Sequence, residues 1–186
     1  MRQAINESEL SILGRLTYLT GGPETVTGID ALPARPPFDG EGLEFLNDLS
    51  KALLSGGRAY PDVVTFAFWI RKASTRSLKA RFFREDGNLR FGRGTAFHIA
   101  PSNVAVNFAY SLAAGLLTGN ANIVRLPTRQ FPQAELICGG INRALEHYPN
   151  LRPYICLVRY GRDREINDLL SRLADTRLVW GGDRTI

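Results

Sequence analysis

The second half of the chain alternates short apolar segments with helical stripes, and this rhythm limits the possible folds more than any other feature. Four segments, at residues 95–100, 122–126, 154–158 and 177–180, are predicted strands. Strands that alternate with helices of ten to fifteen residues form βαβ units, in which the strands are parallel and helices cover both faces. The sequence therefore predicts an α/β fold with a partial, Rossmann-like parallel sheet of about four strands.

The segments between these strands predict helices. Residues 103–117 are apolar nearly all round, which indicates a buried helix, and residues 134–148 and 163–173 carry one apolar stripe each. Asp163 is the predicted N-cap of the last helix. Gly181 and Gly182 follow the fourth strand, where a helix would normally begin, so we expect residues 93–186 to be an incomplete α/β domain cut from a larger fold.

Residues 1–92 follow a different pattern and are predicted to form a helical segment with a hairpin. We expect helices over 7–18, from about 43 to Gly56, and from Pro61 to about 78, with a proline-containing extended segment over 25–38. Asp86-Gly87 predicts a hairpin within residues 80–93, or a turn that leads into a strand, because both residue types accept positive φ.

Composition excludes several classes of protein. The chain has 186 residues, of which 44% are hydrophobic and 22% charged, as in ordinary globular domains. Two cysteines, Cys138 and Cys156, cannot form a disulfide framework and indicate a reducing compartment. The first ten residues lack a signal-peptide core, and no apolar stretch reaches the roughly 20 residues of a membrane span. We expect a cytoplasmic protein with no membrane span and no metal site, and His98 is predicted to be a core histidine.

The charge is distributed unevenly. The net charge is +5, and residues 57–93 hold nine basic residues against three acidic ones. Arginine suits phosphate and carboxylate ligands through its planar fork. The region therefore has two interpretations, a polyanionic ligand such as the phosphates of coenzyme A or a nucleic acid, or an ordinary basic surface. Aromatic residues beside it are limited to Phe82, Phe83 and Phe91, which disfavours a nucleic-acid interface.

Three polar clusters follow predicted strands, at residues 100–103, 126–129 and 180–183. Ligands of open α/β sheets bind at the carboxyl ends of the strands, so the clusters are candidate site residues. In the first cluster, the Asn103 amide could stabilise a developing oxyanion. Alternatively, Ser102 or Asn103 is simply the N-cap of the buried helix.

The order of these motifs resembles a known family. Residues 93–129 resemble the cofactor-binding core of the aldehyde dehydrogenase superfamily, in which a strand ends in Pro-Trp-Asn, a buried helix follows, and Gly-Asn precedes the next strand. Within that superfamily the chain is most similar to the LuxC-type fatty acyl-CoA reductases, which share Gly-Asn-Ala-Asn and Arg-Leu-Pro, here at 119–122 and 125–127. Val-Trp-Gly-Gly-Asp at 179–183 is also similar to that family.

The resemblance implies an aldehyde-dehydrogenase-like fold and roles for individual residues. Asn103 matches the asparagine that stabilises the oxyanion on the reacting carbonyl. Arg129 occupies the position of an acidic residue that binds the adenosine ribose, and Arg125 is close by, so we expect NADP to be preferred, with NAD possible. The remaining implied cofactor-binding residues are Ala100, Pro101, Ser102, Pro127, Gly181 and Gly182.

The resemblance also implies what the chain lacks. The family's reaction needs a cysteine thiolate, which lies in a second domain after the glycine turn. The chain would then be the cofactor-binding N-terminal part of a homo-oligomeric enzyme that reduces fatty acyl-CoA, or another acyl thioester, to an aldehyde with NAD(P)H. By itself it would be inactive. The alternatives are a non-catalytic cofactor- or partner-binding subunit and a basic nucleic-acid-binding domain.

Overall fold

A computed structural model describes residues 5–83 and 88–181, which form a five-stranded sheet with helices on both faces. The strand order is β1-β4-β3-β2-β5, and the strands are β1 Thr17–Thr20, β2 Thr95–Ile99, β3 Ala121–Leu126, β4 Ile155–Arg159 and β5 Thr176–Val179. Strands β2 to β5 are parallel, whereas β1 is antiparallel to β4. The predicted α/β fold is confirmed, although the sheet is mixed and has one strand more than predicted.

Eight α-helices accompany the sheet in the described part of the chain. They are α1 Glu7–Leu13, α2 Pro23–Gly28, α3 Gly40–Gly56, α4 Pro61–Ile70, α5 Lys72–Phe82, α6 Asn107–Leu117, α7 Pro132–Leu145 and α8 Arg164–Leu173. Helices α3, α4, α6 and α7 bury their apolar residues in one core cluster, and α1, α2 and α8 contribute to a second. None of the helices in the described ranges is long and apolar enough to cross a membrane.

The two cores lie on opposite faces of the sheet because strand side chains alternate. Val124 and Leu157 point into the first core, and Phe97, Ile123 and Val158 point into the second. All five are buried, so the parallel strands are covered on both sides, as their continuous apolar sequences indicate.

The first predicted helix is too long. A capping box between Asn6 and Glu9 starts α1, which ends at Leu13. The chain then forms β1, whose Tyr18 is paired with Val158 and donates its hydroxyl to the Leu13 carbonyl. Pairing with a distant strand therefore overrides the helical spacing. The predicted extended segment over 25–38 is also partly wrong, because α2 and a 3₁₀ turn at Ile29–Ala31 precede the extended residues.

The predicted helix over 61–78 is two helices, α4 and α5. The chain turns at Arg71, where ψ is 155°. The Asn47 side chain accepts the Lys72 backbone N–H, and the Ser74 hydroxyl donates to the Phe68 carbonyl, so tertiary contacts stabilise the break. Helix α5 extends into the predicted hairpin, and residues 88–93 contain no strand, so both flanks of that hairpin are predicted wrongly. Residues 85–87 of its turn lie outside the described residues.

A tight backbone crossing joins the two parts of the sequence. The Arg35 N–H donates to the Gly119 carbonyl at 3.1 Å, and the Gly92 N–H donates to the Arg35 carbonyl at 3.3 Å. Gly119 has a φ of +81°, and a Cβ there would lie 2.1 Å from the Arg35 carbonyl oxygen. Glycine is therefore required at this crossing. The domain boundary between residues 92 and 93 stays a prediction.

Candidate functional site at the carboxyl edge of the sheet

The strand order reverses at β2. Strands β3 and β4 lie on one side of β2, whereas β5, which follows β4 in the chain, pairs with β2 on its other side. Helix α6, which follows β2, and helix α8, which precedes β5, pack on opposite faces of the sheet. A ligand crevice is therefore expected at the carboxyl edge, between the ends of β2 and β5. In open α/β sheets this switch point is the usual ligand site.

Backbone hydrogen bonds align the ends of these strands. The Trp180 N–H donates to the Ile99 carbonyl at 3.1 Å, and the Ala100 N–H donates to the Arg125 carbonyl at 3.1 Å. Each ladder thus extends one residue beyond the regular strand. The loops that begin at residues 100 and 181 consequently start side by side at the same edge.

Ser102 and Asn103 lie in a turn between β2 and α6, and both are exposed. The predicted helix over 103–117 begins only at Asn107, and its N-cap is Val106, which makes no side-chain cap. The interpretation of Ser102 or Asn103 as the N-cap is therefore wrong. Pro101, which precedes them, is partly buried and fixes where the chain leaves β2.

The loop after β3 presents Arg129 to solvent. Its guanidinium carbon lies 4.9 Å from the centre of the Phe131 ring, and no carboxylate of the described residues pairs with it. Pro127 is buried, and its carbonyl accepts from the Arg159 Nε at 3.0 Å. This bond fixes the start of the loop, while the Arg129 charge is uncompensated.

Arg125 has a different environment. Its guanidinium donates to the carbonyl oxygens of Gly161 at 2.9 Å and Tyr160 at 3.4 Å, and it lies 4.5 Å from the centre of the Tyr160 ring. These contacts stabilise the loop after β4. Arg125 is thus engaged by backbone carbonyls, and of these two arginines only Arg129 presents a free fork.

Gly181 is exposed and forms a bend two residues after the end of β5. Gly182, the second predicted glycine of the turn, lies outside the described residues.

Asn107, the first residue of α6, was not predicted as a site residue. Its amide oxygen is fully buried and has no hydrogen-bond partner among the described residues. Buried polar atoms are nearly always satisfied, so an orphaned acceptor at the start of a helix is unusual. The sequence signal was an asparagine within an otherwise apolar stretch, which composition alone does not distinguish from a solvent-facing residue.

A buried polar cluster lies beneath the crevice. His98 is fully buried, as predicted, and burial lowers its pKa to about 4. Its Nδ1 lies 2.7 Å from the Ser111 Oγ, and its Nε2 lies 3.0 Å from the Asn122 Oδ1. Ser111 also accepts from the Trp180 indole N–H at 3.1 Å. The sequence did not predict this cluster, because its members come from β2, α6, β3 and the residue that follows β5.

Both cysteines are core residues. Cys138 lies on the buried side of α7 and Cys156 lies inside β4. Burial raises the pKa of each thiol to about 12. Neither thiol is poised as a thiolate at neutral pH, because a reactive cysteine needs a lowered pKa and access to solvent.

Four cavities in the described part of the chain have volumes of about 320 to 660 Å³, and no predicted site residue lines any of them. One of about 320 Å³ lies between α3 and α5 and is lined by Lys72, Arg76 and Lys79. In the same described ranges, no three histidine, cysteine or acidic residues are grouped closely enough to hold a metal ion.

Comparison with protein families matches residues 77–186, more than half of the chain, to the family described as Acyl-CoA reductase (LuxC). The chain belongs to this acyl-CoA reductase family. The resemblance drawn from the sequence motifs is thereby confirmed, and the matched range contains β2 to β5 and every predicted site residue. Reductases of this family depend in general on a pyridine nucleotide. No curated protein matches the sequence.

Proposed function

We propose that the carboxyl edge of the sheet, between β2 and β5, binds the pyridine nucleotide of an acyl-CoA reductase. The reversal of strand order at β2 carries this proposal, because the segments that contain Asn103 and Gly181 start side by side at this switch point, where open α/β sheets bind their ligands. The chain is then the cofactor-binding part of an enzyme that reduces fatty acyl thioesters to aldehydes.

The described residues fit a nucleotide at this edge. The first turn of α6 contains no acidic residue, so its positive dipole end is available to an anionic ligand. The bend at Gly181 lets a backbone approach a bulky phosphate closely, since no side chain intervenes.

The Asn103 side chain has a specific proposed role in the reaction. When bound, the reduced nicotinamide supplies a hydride to the thioester carbonyl. The Asn103 amide, which is exposed in its turn, donates to the carbonyl oxygen as negative charge develops there. Ala100, Pro101, Ser102 and Pro127 shape the edge around it.

The free Arg129 guanidinium favours NADP over NAD. An arginine at the ribose end of the site donates to a 2′-phosphate, whereas an acidic residue there would repel it. Charge-assisted hydrogen bonds of this kind contribute about 1.5–3 kcal/mol, which corresponds to roughly tenfold to a hundredfold discrimination.

We propose that the cysteine nucleophile of the reaction lies outside this sequence. Acyl transfer to an enzyme needs a thiolate, and Cys138 and Cys156 are buried with raised pKa values. We therefore expect this chain to bind cofactor without reducing acyl-CoA by itself.

Homo-oligomerisation and a reducing, cytoplasmic location complete the proposal. Among the described residues, β5 pairs only with β2, so its outer side is an edge that another chain can cover. Phe91 and Leu89 are exposed, and Phe91 lines a cavity together with Thr176 and Leu178 of β5. Both cysteines are free thiols, as in proteins of reducing compartments.

Titration calorimetry of the chain with NADPH and with NADH tests the cofactor proposal. We expect NADPH to bind at least tenfold more tightly, and Arg129→Glu to abolish that preference. The matched control is Arg143→Glu at the opposite end of α7, which should leave both affinities unchanged. Absence of binding, or a preference that ignores the Arg129→Glu substitution, would contradict the proposal.

A further inference from the structure

Trp180 connects the proposed crevice to the core. It is the last residue before the bend at Gly181, and its side chain is 45% exposed. Its indole N–H donates to the Ser111 Oγ at 3.1 Å. Ser111 lies four residues after Asn107 on α6, hence on the same side of the helix and one turn further from the crevice. The bond therefore joins the end of β5 to α6 across the switch point.

The hydrogen bonds of this cluster have a defined direction. The Asn122 Nδ2 donates to the Asn120 carbonyl at 2.7 Å, so the Asn122 Oδ1 is the acceptor that faces His98. His98 must then donate from Nε2, which leaves Nδ1 as an acceptor because the burial-lowered pKa keeps the ring neutral. The Ser111 hydroxyl donates to that Nδ1, and its oxygen accepts from Trp180.

The surrounding backbone is adapted to this cluster. His98, Ser111 and Asn122 are all at most 2% exposed. A Cβ at Gly115 would lie 1.8 Å from the Asn122 Oδ1, so only glycine at that position of α6 leaves room for the amide. Three polar side chains in a core are costly unless every bond is made. The chain of bonds leads from the core to one partly exposed group, the Trp180 indole at the crevice.

We propose that His98, Ser111 and Asn122 are positioning residues that hold the Trp180 indole, and with it the end of β5 up to Gly181, in the orientation that nucleotide binding needs. This inference rests on the proposed cofactor function. Asn122 fixes the ring of His98, His98 fixes the Ser111 hydroxyl, and Ser111 anchors Trp180. The end of β5, with Trp180 and Gly181, is thereby fixed relative to α6, whose first turn lies at the same edge of the sheet.

The test uses the whole chain with Trp69→Phe, which leaves Trp180 as the single fluorescent tryptophan. Ser111→Ala removes the anchor, and we expect red-shifted Trp180 emission, about twofold stronger acrylamide quenching, and NADPH affinity weakened about fivefold by calorimetry. The matched control is Ser50→Ala on α3, because Ser50 is equally buried and donates to the Ala67 carbonyl away from the crevice. It should lower stability without changing Trp180 emission or NADPH affinity.

A second variant, Trp180→Phe, tests the inference if Ser111→Ala does not fold. Trp180→Phe keeps a ring but removes the N–H, and it should weaken NADPH binding by the same factor, with no further loss when both substitutions are combined. Unchanged NADPH affinity in these variants, with normal binding by the wild type, overturns this inference alone. If the wild type binds neither nucleotide, the proposed function and this inference fail together.

Discussion

The two edges of the sheet differ in how the charge of an arginine is compensated. At the amino edge, Arg35 is 18% exposed and pairs with Asp39 at 2.6 Å and Glu41 at 2.8 Å, while its backbone is clamped against Gly119. At the carboxyl edge, Arg129 has no carboxylate among the described residues, and the Asn107 amide oxygen is buried without a partner. Each edge contains one buried polar atom without a partner among the described residues, the Arg35 Nε and the Asn107 Oδ1. The difference lies in the charge, which is compensated for Arg35 and, within the described part of the chain, uncompensated for Arg129.

The two arginines express the same contrast in their electrostatics. The hydrogen bonds that the Arg35 guanidinium donates to Asp39 and to Glu41 raise the pKa of Arg35 above its ordinary value, so its charge is compensated within the fold. Arg129 makes only an aromatic contact. Substitutions at matched positions on the two edges should therefore affect different properties.

The largest effect is expected from glycine substitution. Gly119→Ala should lower the free energy of unfolding by about 4 kcal/mol, because the new Cβ meets the Arg35 carbonyl and the backbone has positive φ. Gly161→Ala is the control at the carboxyl edge, where a Cβ meets nothing within 4 Å. Urea denaturation measures both, and similar losses would remove the distinction between the edges.

Lowering the pH should lower the free energy of unfolding, because it protonates His98 in the buried cluster that links the core to the carboxyl edge. The unfolded chain protonates His98 near pH 6.5, whereas burial delays protonation in the folded state to about pH 4. Stability is therefore full above pH 6.5 and falls by about 3 kcal/mol as the pH decreases through that window.

Urea denaturation across that window, for the wild type and His98→Gln, isolates this contribution. The variant cannot gain a charge and should show a smaller loss, the remainder coming from carboxylates elsewhere. Identical slopes in the two proteins would show that His98 does not carry the effect.

Replacing the two arginines should separate stability from binding. Arg35→Gln should lower the free energy of unfolding by about 2 kcal/mol, since it leaves two partly buried carboxylates without a cation. Arg129→Gln should change stability by less than about 0.5 kcal/mol, as at exposed positions in general, but weaken NADPH binding. Calorimetric melting and NADPH titration of both variants provide the measurement, and the reverse pattern would contradict the comparison.

The smallest effect is expected from the thiols. A mixture of the chain with long-chain acyl-CoA and NADPH should keep its absorbance at about 340 nm, the nicotinamide band, because neither cysteine is available for acylation. Both should react with a thiol reagent only after unfolding. Turnover that is lost on Cys138→Ser or Cys156→Ser would refute the assignment of the nucleophile.

The sequence predicted the parts of the fold that depend on local periodicity. Strands β2 to β5 and the Asp163 cap of α8 follow from alternation and capping chemistry, and the cap bond to the Ile166 N–H is present. It failed where distant contacts decide the outcome, as at β1, which exists through pairing with β4, and at Arg71, where the Asn47 side chain stabilises the break.

The position of the candidate residues in the fold was predicted in outline only. Motif order placed Asn103, Arg129 and Gly181 at one edge, because strand ends coincide in a parallel sheet. The cluster of His98, Ser111, Asn122 and Trp180 could not be predicted, since its members are up to 82 positions apart and meet only through strand order. The engagement of Arg125 by two carbonyls likewise depends on the loop after β4.

Amide chemical shifts on addition of NADPH test the central claim most directly. If the carboxyl edge binds the nucleotide, the largest changes will fall on the amides of Ala100, Ser102, Asn103 and Gly181, while Gly92 and Gly119 at the amino edge stay unchanged. Shifts concentrated at the amino edge, or along the basic groove between α3 and α5, would contradict the account.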